Sequence, residues 1–108
     1  METYFADSQL AKTCASERLM RRQFGPVRTK RLAVRLQQLR LADNLAELRL
    51  VTNRAHELQR DRAGCIALDL DGPYRLIIEP VEWIADESGR LDWSSVKAVV
   101  VVSVVDYH

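Results

Sequence analysis

The sequence has little from which a metal site or a disulfide framework could be built. It contains two cysteines and two histidines among 108 residues, and neither Cys14 nor Cys65 lies in a CxxC pair or at metal-ligand spacing from a histidine. It also lacks a glycine-rich phosphate loop and the HExxH and GxSxG motifs of zinc proteases and serine hydrolases. These absences argue against a bound metal or cofactor and favour buried thiols in a reducing compartment, the cytoplasm.

Long hydrophobic runs are also scarce. The longest, residues 98–105, is far shorter than the roughly 20 apolar residues that a membrane-spanning helix needs. Residues 1–10 have no basic segment followed by an apolar one, so no secretory signal is expected. With 47% hydrophobic and 29% charged residues, the chain is predicted to form one soluble domain over residues 1–108.

The formal net charge of +1 hides an uneven distribution of charged residues. Residues 1–62 hold 13 Lys and Arg against 7 Asp and Glu, whereas residues 63–108 hold 3 against 8. A basic half predicts a surface that faces a polyanion. The alternative is that the two halves attract each other across the fold.

The first half of the chain has the pattern of helices. Asp7 and Ser8 form an N-cap signal, and Gly25-Pro26 separates two helical stretches, because glycine ends a helix readily and proline fits an early helical position. The predicted elements are a strand at 2–6, a helix from about 9 to 23, a second helix from 26 to about 42 and a helical turn that reaches residue 50.

Three arginines line one side of the second predicted helix, away from its apolar stripe. Arginines three and four positions apart can follow a nucleic-acid backbone, so one interpretation is a row of phosphate contacts. The other interpretation is an ordinary solvated face. The three residues are Arg28, Arg31 and Arg35.

The clearest element in the sequence is a β-hairpin. Apolar residues alternate within 66–70 and again within 74–78, and Asp71-Gly72-Pro73 between the two runs is a turn signal. A three-residue loop puts the alternating apolar side chains on one face and sets Asp69 opposite Arg75 on the other. The face that carries Arg75 is therefore predicted to be the solvated, working surface.

The valine-rich stretch from Val96 to Val105 predicts a central strand that is covered on both faces. Residues 82–95 before it are polar and acidic and are expected to be irregular, with Trp83 and Trp93 anchoring the two ends to the core. Helices first and strands after them predict an α+β fold, a small and mostly antiparallel sheet with two N-terminal helices packed on one face.

Two histidines could supply an acid and a base for RNA cleavage. His56 leads into the hairpin and His108 ends the last strand, so the two could meet across the sheet. Attack of a 2′-hydroxyl on its phosphate needs a base, an acid and cations, roles that imidazoles and arginines can fill. Each residue alone has a structural alternative, such as a hydrogen-bonded histidine or a cross-strand ion pair of Arg75 with Asp69.

Three separated stretches of the sequence match one family in order and spacing. They are residues 56–64 (HELQRDRAG), residues 74–80 (YRLIIEP) and residues 105–108 (VDYH). With them the chain resembles the HigB branch of the RelE/ParE toxin superfamily over nearly its whole length. The resemblance implies a small RelE-like fold and the toxin of a type II toxin-antitoxin pair. Such a toxin is a ribosome-dependent mRNA endoribonuclease without a cofactor, and a HigA-like helix-turn-helix antitoxin neutralises it.

The resemblance also implies roles for individual residues. The implied catalytic set is His56, Arg75, Asp106, Tyr107 and His108, with the two imidazoles sharing the acid and base roles. Gln59 and Arg60 depart from the family's usual His-x-Leu-Lys-Gly-Asp motif, so the charge of the missing lysine falls to Arg60 or Arg62. The residues expected to contact RNA are Gln59, Arg60, Arg62, Arg28, Arg31 and Arg35.

Two rival functions stay open at this point. A ParE-like toxin would inhibit DNA gyrase through protein contacts and would need no acid-base pair. A catalytically weak remnant would act mainly through its antitoxin. The expected partners of the nuclease are the ribosome, mRNA and the antitoxin, all in the cytoplasm and without a membrane.

Overall fold

The structure is a computed structural model that describes residues 1–59 and 62–107. It confirms the predicted α+β class with a small, mostly antiparallel sheet. Within the described ranges, no helix has both the length and the apolar composition needed to cross a membrane. The elements in chain order are β1 (Glu2–Phe5), α1 (Ser8–Cys14), α2 (Glu17–Leu41), α3 (Leu45–Val51), β2 (Ala55–Glu57), β3 (Ile66–Asp69), β4 (Tyr74–Pro80), a 3₁₀ turn (Trp93–Ser95) and β5 (Ala98–Asp106).

The helices begin and end where the sequence supplies capping residues. Asp7 caps α1 and Asn44 caps α3, each by accepting a hydrogen bond from the backbone N–H three residues further on. Gly25 interrupts α2 with φ 82° and ψ 168°, a conformation that is open almost only to glycine. The predicted separation of two helical stretches at Gly25-Pro26 is thus confirmed.

The first predicted helix, however, is not continuous. α1 ends at Cys14, and Ser16 has an extended backbone whose hydroxyl accepts a hydrogen bond of 3.2 Å from the N–H of Leu19. A new N-cap within the predicted span therefore turns the chain. Cys14 and Met20, on the two sides of this break, both remain in the core.

The sheet has the strand order β1-β5-β4-β3-β2. β1 runs parallel to β5, and the other neighbours are antiparallel. β5 is an interior strand, but the prediction that it is covered on both faces is wrong. Val99 and Val101 are buried, whereas Val100 and Val102, each the next residue along the strand, are partly exposed.

The predicted register of the hairpin is confirmed, since Leu68 lies opposite Leu76 and Asp69 lies opposite Arg75. The main core therefore lies between the helices and one face of the sheet, which is called the helix side below. Its largest fully buried side chains are Leu32, Leu36, Leu39, Leu45, Leu48, Ile66, Leu68, Leu76, Ile78, Val96 and Val99.

The opposite face of the sheet, called the outer face below, is partly apolar. Ala67 and Ile77 are cross-strand neighbours on this face, and both are buried in a second cluster with Leu58. The prediction that this face is solvated is therefore wrong for the part around Ala67 and Ile77. The outer face becomes polar toward the hairpin turn, where Asp69 and Arg75 follow.

The two tryptophans of the segment between β4 and β5 differ in burial, and Trp93 belongs to the core. Trp93 is buried, its Nε1–H donates to Oε1 of Glu57 at 2.9 Å, and the guanidinium of Arg49 lies 3.3 Å above its ring. Trp83 is 45% exposed, so the prediction that it anchors the other end is wrong. Its ring is available to solvent.

Candidate functional site

Three neighbouring strands bring His56 and Arg75 to one carboxylate on the outer face. Asp69 of β3 lies between His56 of β2 and Arg75 of β4. Its Oδ1 is 2.9 Å from Nε of Arg75, and its Oδ2 is 3.5 Å from Nε2 of His56 and 3.8 Å from Nη1 of Arg54. Only 17% of the Asp69 side chain is exposed, so these charges interact in a partly desolvated setting.

The guanidinium of Arg75 is fixed from two directions. Its Nη1 donates to the backbone carbonyl oxygens of Gly72 at 2.8 Å and of Tyr74 at 2.9 Å. Oδ1 of Asp69 is buried and accepts no hydrogen bond within the described ranges. Its contact with Nε of Arg75 is therefore an ion pair and not a hydrogen bond. The turn carbonyls therefore orient Arg75, while Asp69 supplies the opposite charge.

Pairing of the edge strand β2 places the histidine. His56 lies opposite Ala67, and the N–H of Asp69 donates to the carbonyl of Arg54 at 3.0 Å. Alternation along the strand puts Arg54 and His56 on the same face, two residues apart. Both side chains are more than half exposed, so they are accessible to a ligand as well as close to Asp69.

Arg35 supports the site from the helix side and is not part of a solvated row. Its Nε donates to the backbone oxygen of Asp69 at 2.8 Å, and its Nη1 donates to Gln38 at 3.0 Å and to Thr52 at 3.3 Å. Burial lowers the pKa of Arg35 from its ordinary value, although the charge of Asp69 opposes that shift. The prediction of an exposed row of arginines is thus wrong at Arg35, because this side chain is buried and its hydrogen bonds are made within the chain.

Arg28 is likewise occupied within the chain. It makes a bidentate ion pair with Asp71, at 3.0 and 3.1 Å, and its guanidinium lies 3.3 Å above the ring of Tyr74. This pair joins the basic half to the acidic half, as does the Arg54–Asp69 contact, so part of the uneven charge is used within the fold. Arg31 is exposed, and its contact with RNA stays a prediction.

The end of β5 presents its two described site residues to different faces. Asp106 pairs with Tyr74, which packs on the core, so the side chain of Asp106 belongs to the helix side. Tyr107 follows it, and its N–H donates to the carbonyl of Pro73 at 2.8 Å. Continued alternation places Tyr107, which is 39% exposed, on the outer face. His108 lies outside the described residues.

The remaining predicted RNA contacts surround the connection between β2 and β3. Gln59 is exposed and Arg62 is half-buried, whereas Arg60 lies outside the described residues. Gln59 lines a depression of about 190 Å³ together with Trp83 and Cys65. Burial, followed by the charge of Glu79, raises the pKa of the Cys65 thiol. This cysteine is therefore a poor nucleophile at neutral pH.

The sequence predicts only part of the group around Asp69. It places Asp69 opposite Arg75, but it predicts neither the contact of Asp69 with His56 nor the nearby Arg54. The available signal was the two-residue spacing of Arg54 and His56, which indicates one face of a strand. It becomes useful only when β2 is known to pair with β3.

Comparison of the chain with protein-family models, with curated proteins and with solved structures finds no match in any of the three. The resemblance to the HigB branch therefore rests on its three motifs. His56, Asp69, Arg75 and Arg54 form one group of side chains on the outer face, called the Asp69 group below.

Proposed function

We propose that the chain is a ribosome-dependent mRNA endoribonuclease, the toxin of a type II toxin-antitoxin pair. The observation that supports this best is the convergence of His56 and Arg75 on Asp69, from strands on either side of it. Cleavage by an RNA 2′-hydroxyl requires a base, an acid and cations, and this face supplies one imidazole and one guanidinium of that set.

In the proposed reaction, the 2′-oxygen attacks the adjacent phosphorus and the bond from phosphorus to the 5′-oxygen breaks. A base takes the 2′-hydroxyl proton, and an acid protonates the departing 5′-oxygen. The products are a 2′,3′-cyclic phosphate and a 5′-hydroxyl. Arg75 binds the phosphate oxygens, whose charge grows in the transition state, and His56 takes one of the two proton-transfer roles.

Asp69 acts as a positioning residue in this proposal. Whether His56 is the acid or the base, it is an imidazolium at one stage of the reaction. A carboxylate oxygen 3.5 Å from Nε2 stabilises that charged stage. The same carboxylate lies beside Arg75 at its other oxygen, so one side chain faces both the imidazole and the guanidinium.

Several accessible groups could hold the RNA around this centre. Arg54 is 63% exposed and can meet a neighbouring phosphate, and the exposed ring of Tyr107 can stack on a base. Gln59 and Arg62 lie beyond the end of β2 as further candidates. Arg60, and His108 as the second imidazole, enter the proposal from the sequence and the family resemblance.

The proposed setting is the cytoplasm, where the chain would act on mRNA in the ribosome and be held inactive by its antitoxin. The exposed cations of the N-terminal half support contact with ribosomal RNA, since phosphate binding is largely electrostatic. The ribosome can contribute groups to the reaction. Cleavage is therefore best measured on translated mRNA.

The experiment is the mapping of mRNA 5′ ends in cells after brief induction of the chain. Wild type is compared with His56→Ala and with Arg75→Ala, and Lys97→Ala serves as a control that removes an exposed cation elsewhere. We expect cuts within translated codons that fall at least about 100-fold in the first two variants, the usual scale for loss of an acid-base group. The Lys97 variant should cut like wild type.

The same experiment separates the rival functions. Growth arrest with intact mRNA and DNA damage, unchanged in the His56 and Arg75 variants, would replace the nuclease with a ParE-like action on gyrase. Absence of both cleavage and arrest in soluble, folded wild-type protein would support a weak remnant. Equal loss of cleavage in all three variants would show that general positive charge, not the Asp69 group, is responsible.

A further inference from the structure

A row of exposed aliphatic side chains follows the side of α2 that faces away from the core. Val27, Val34 and Leu41 are 63%, 47% and 75% exposed and are spaced seven residues apart. Seven residues are close to two helical turns, so the three side chains lie nearly in one line. The helix has a second apolar stripe besides the buried one, and the fold leaves this second stripe uncovered within the described ranges.

The row continues onto α3. Leu50 and Val51 are also strongly exposed, and together with Leu41 they line a shallow depression of about 300 Å³. Five of the nine large apolar side chains that are exposed in the described part of the chain thus belong to one surface. It is called the α2–α3 surface below. Clustered exposure of this kind marks interaction sites, whereas single exposed apolar residues do not.

Two exposed cations, Lys30 and Arg31, lie beside Val27 and Val34, whereas Glu47 lines the depression at the other end of the row. Residues 26–41 contain five Lys and Arg and no Asp or Glu. Arg28 and Arg35 have intrachain partners, but Lys30, Arg31 and Arg40 are exposed and form no ion pair with any other residue that the structure describes. The surface therefore combines an apolar line with free cations.

We propose that the α2–α3 surface binds an acidic amphipathic α-helix of a partner protein. Val27 to Leu41 spans 14 residue steps, or about 21 Å of helix axis, which a partner helix of about four turns would match. Its apolar residues, at spacings of three and four, would lie on Val27, Val34 and Leu41. Its flanking Asp and Glu would face Lys30 and Arg31, which lie beside Val27 and Val34.

Charge and shape favour this occupant over three others. A second copy of the chain would place the same cations against each other. RNA could use the same cations, including Arg31 as its predicted contact, so the two occupants would compete there. RNA would gain little, however, from the aliphatic row, which offers no aromatic stacking. A lipid bilayer presents a flat boundary, whereas the surface is concave between Leu41 and Leu50 and fits a protruding side chain.

The α2–α3 surface is separate from the Asp69 group. The buried side of α2 packs on the helix side of the sheet through Leu32, Leu36 and Leu39, whereas His56 and Arg75 lie on the outer face. Binding at this surface therefore does not depend on the proposed nuclease chemistry. The two proposals can fail independently.

The test uses the ¹⁵N-labelled full chain and a synthetic, stapled helical peptide of about 14 residues, with leucines on one face and glutamates on the flanks. A matched peptide has lysines in place of the glutamates. We expect micromolar binding of the acidic peptide, salt-sensitive and with NMR shift changes centred on Val34, Leu41 and Leu50. The basic peptide should not bind.

Variants then test the contacts. Val34→Glu with Leu41→Glu should weaken binding of the acidic peptide at least about tenfold, and Ile84→Glu, an exposed apolar residue elsewhere, should not. In the charge reversal Lys30→Glu with Arg31→Glu, the acidic peptide should lose affinity and the basic peptide should gain it. Because all of these side chains are exposed, the variants are expected to fold, and circular dichroism checks this.

Several outcomes would overturn the proposal. These are no binding of the acidic peptide, binding that the variants leave unchanged, or a charge reversal that fails to switch the preferred peptide. The proposal would also be overturned if Val34 and Leu41 contacted a second copy of the chain, an RNA oligonucleotide or anionic phosphatidylglycerol vesicles and not the peptide. Any of these would assign the surface to a different occupant.

Discussion

Replacing Asp69 by asparagine should separate the function of its carboxylate from its contribution to stability. The amide keeps the size of the side chain but removes the negative charge that Arg75 and His56 share. Asp71→Asn is the matched control, because it removes the charge from a second hairpin carboxylate that pairs with Arg28. The two ion pairs have similar exposure, with 25% and 17% for Arg75 and Asp69 and 21% and 25% for Arg28 and Asp71.

The expected loss of stability is similar for the two variants. Exposed ion pairs contribute up to about 1 kcal/mol, and breaking a fully buried one costs about 3–5 kcal/mol. These pairs are mostly buried but still reach solvent, which places each at about 1–2 kcal/mol after screening. In a domain of this size each kcal/mol lowers the melting temperature by roughly 4–8 °C. Thermal denaturation should therefore show comparable shifts for Asp69→Asn and Asp71→Asn.

Cleavage should distinguish the two variants. Loss of the Asp69 charge removes the carboxylate beside the imidazole and the opposite charge of a guanidinium that the Gly72 and Tyr74 carbonyls still hold. Displacement of a catalytic group by about 1 Å can cost about 100-fold in rate. We expect mapped mRNA cleavage to fall about 10- to 100-fold in Asp69→Asn at a temperature where both variants are folded. Asp71→Asn should stay close to wild type. Equal losses in both variants, or full activity in Asp69→Asn, would refute the positioning role.

Two further predictions concern stability. Gly25→Ala should lower the free energy of unfolding by about 1–3 kcal/mol, because φ 82° and ψ 168° strain any L-residue. The cause is the backbone alone, since no more distant described residue lies within 4 Å of the added Cβ. A D-alanine introduced there by chemical synthesis should avoid most of this loss in urea denaturation. Burial raises the pKa of the Cys14 and Cys65 thiols in the folded chain, because it disfavours the thiolate. The stability that the two protonated thiols contribute is therefore complete below the unfolded thiol pKa of about 8.5 and is lost as pH rises through the folded pKa. Urea denaturation from pH 7 to 10 should show a smaller alkaline loss in Cys14→Ala with Cys65→Ala than in wild type, and equal slopes would contradict the shift.

The parts of the fold that could be predicted are those fixed by local signals. The hairpin follows from alternation on both sides of Asp71-Gly72-Pro73, because a slip by one residue would expose its apolar face. Gly25-Pro26 marks a helix boundary through backbone constraints that no tertiary contact needs to supply. Such features lie within a few residues of the positions that they determine.

The features that could not be predicted depend on distant contacts. Arg35 has the spacing of a solvated arginine, yet it is buried because Asp69, Gln38 and Thr52 together supply acceptors for its N–H groups. The contact of His56 with Asp69 likewise requires β2 to pair across a connection of several residues. Composition and periodicity therefore predict neither the burial of Arg35 nor the contact of His56 with Asp69.

The two ends of the candidate site also depend on one irregularity in the sheet. Ile77 pairs with Ser103 but Ile78 pairs with Val101, so Val102 is an extra residue in β5. Without this bulge, alternation from Val101 would send Tyr107 to the helix side and Asp106 to the outer face. With it, the tyrosine shares the outer face with His56 and Arg75, whereas the aspartate faces away from them. The terminal motif alone suggests that these residues act together, but the register assigns them to opposite sides, and the carboxylate that reaches the imidazole is that of Asp69.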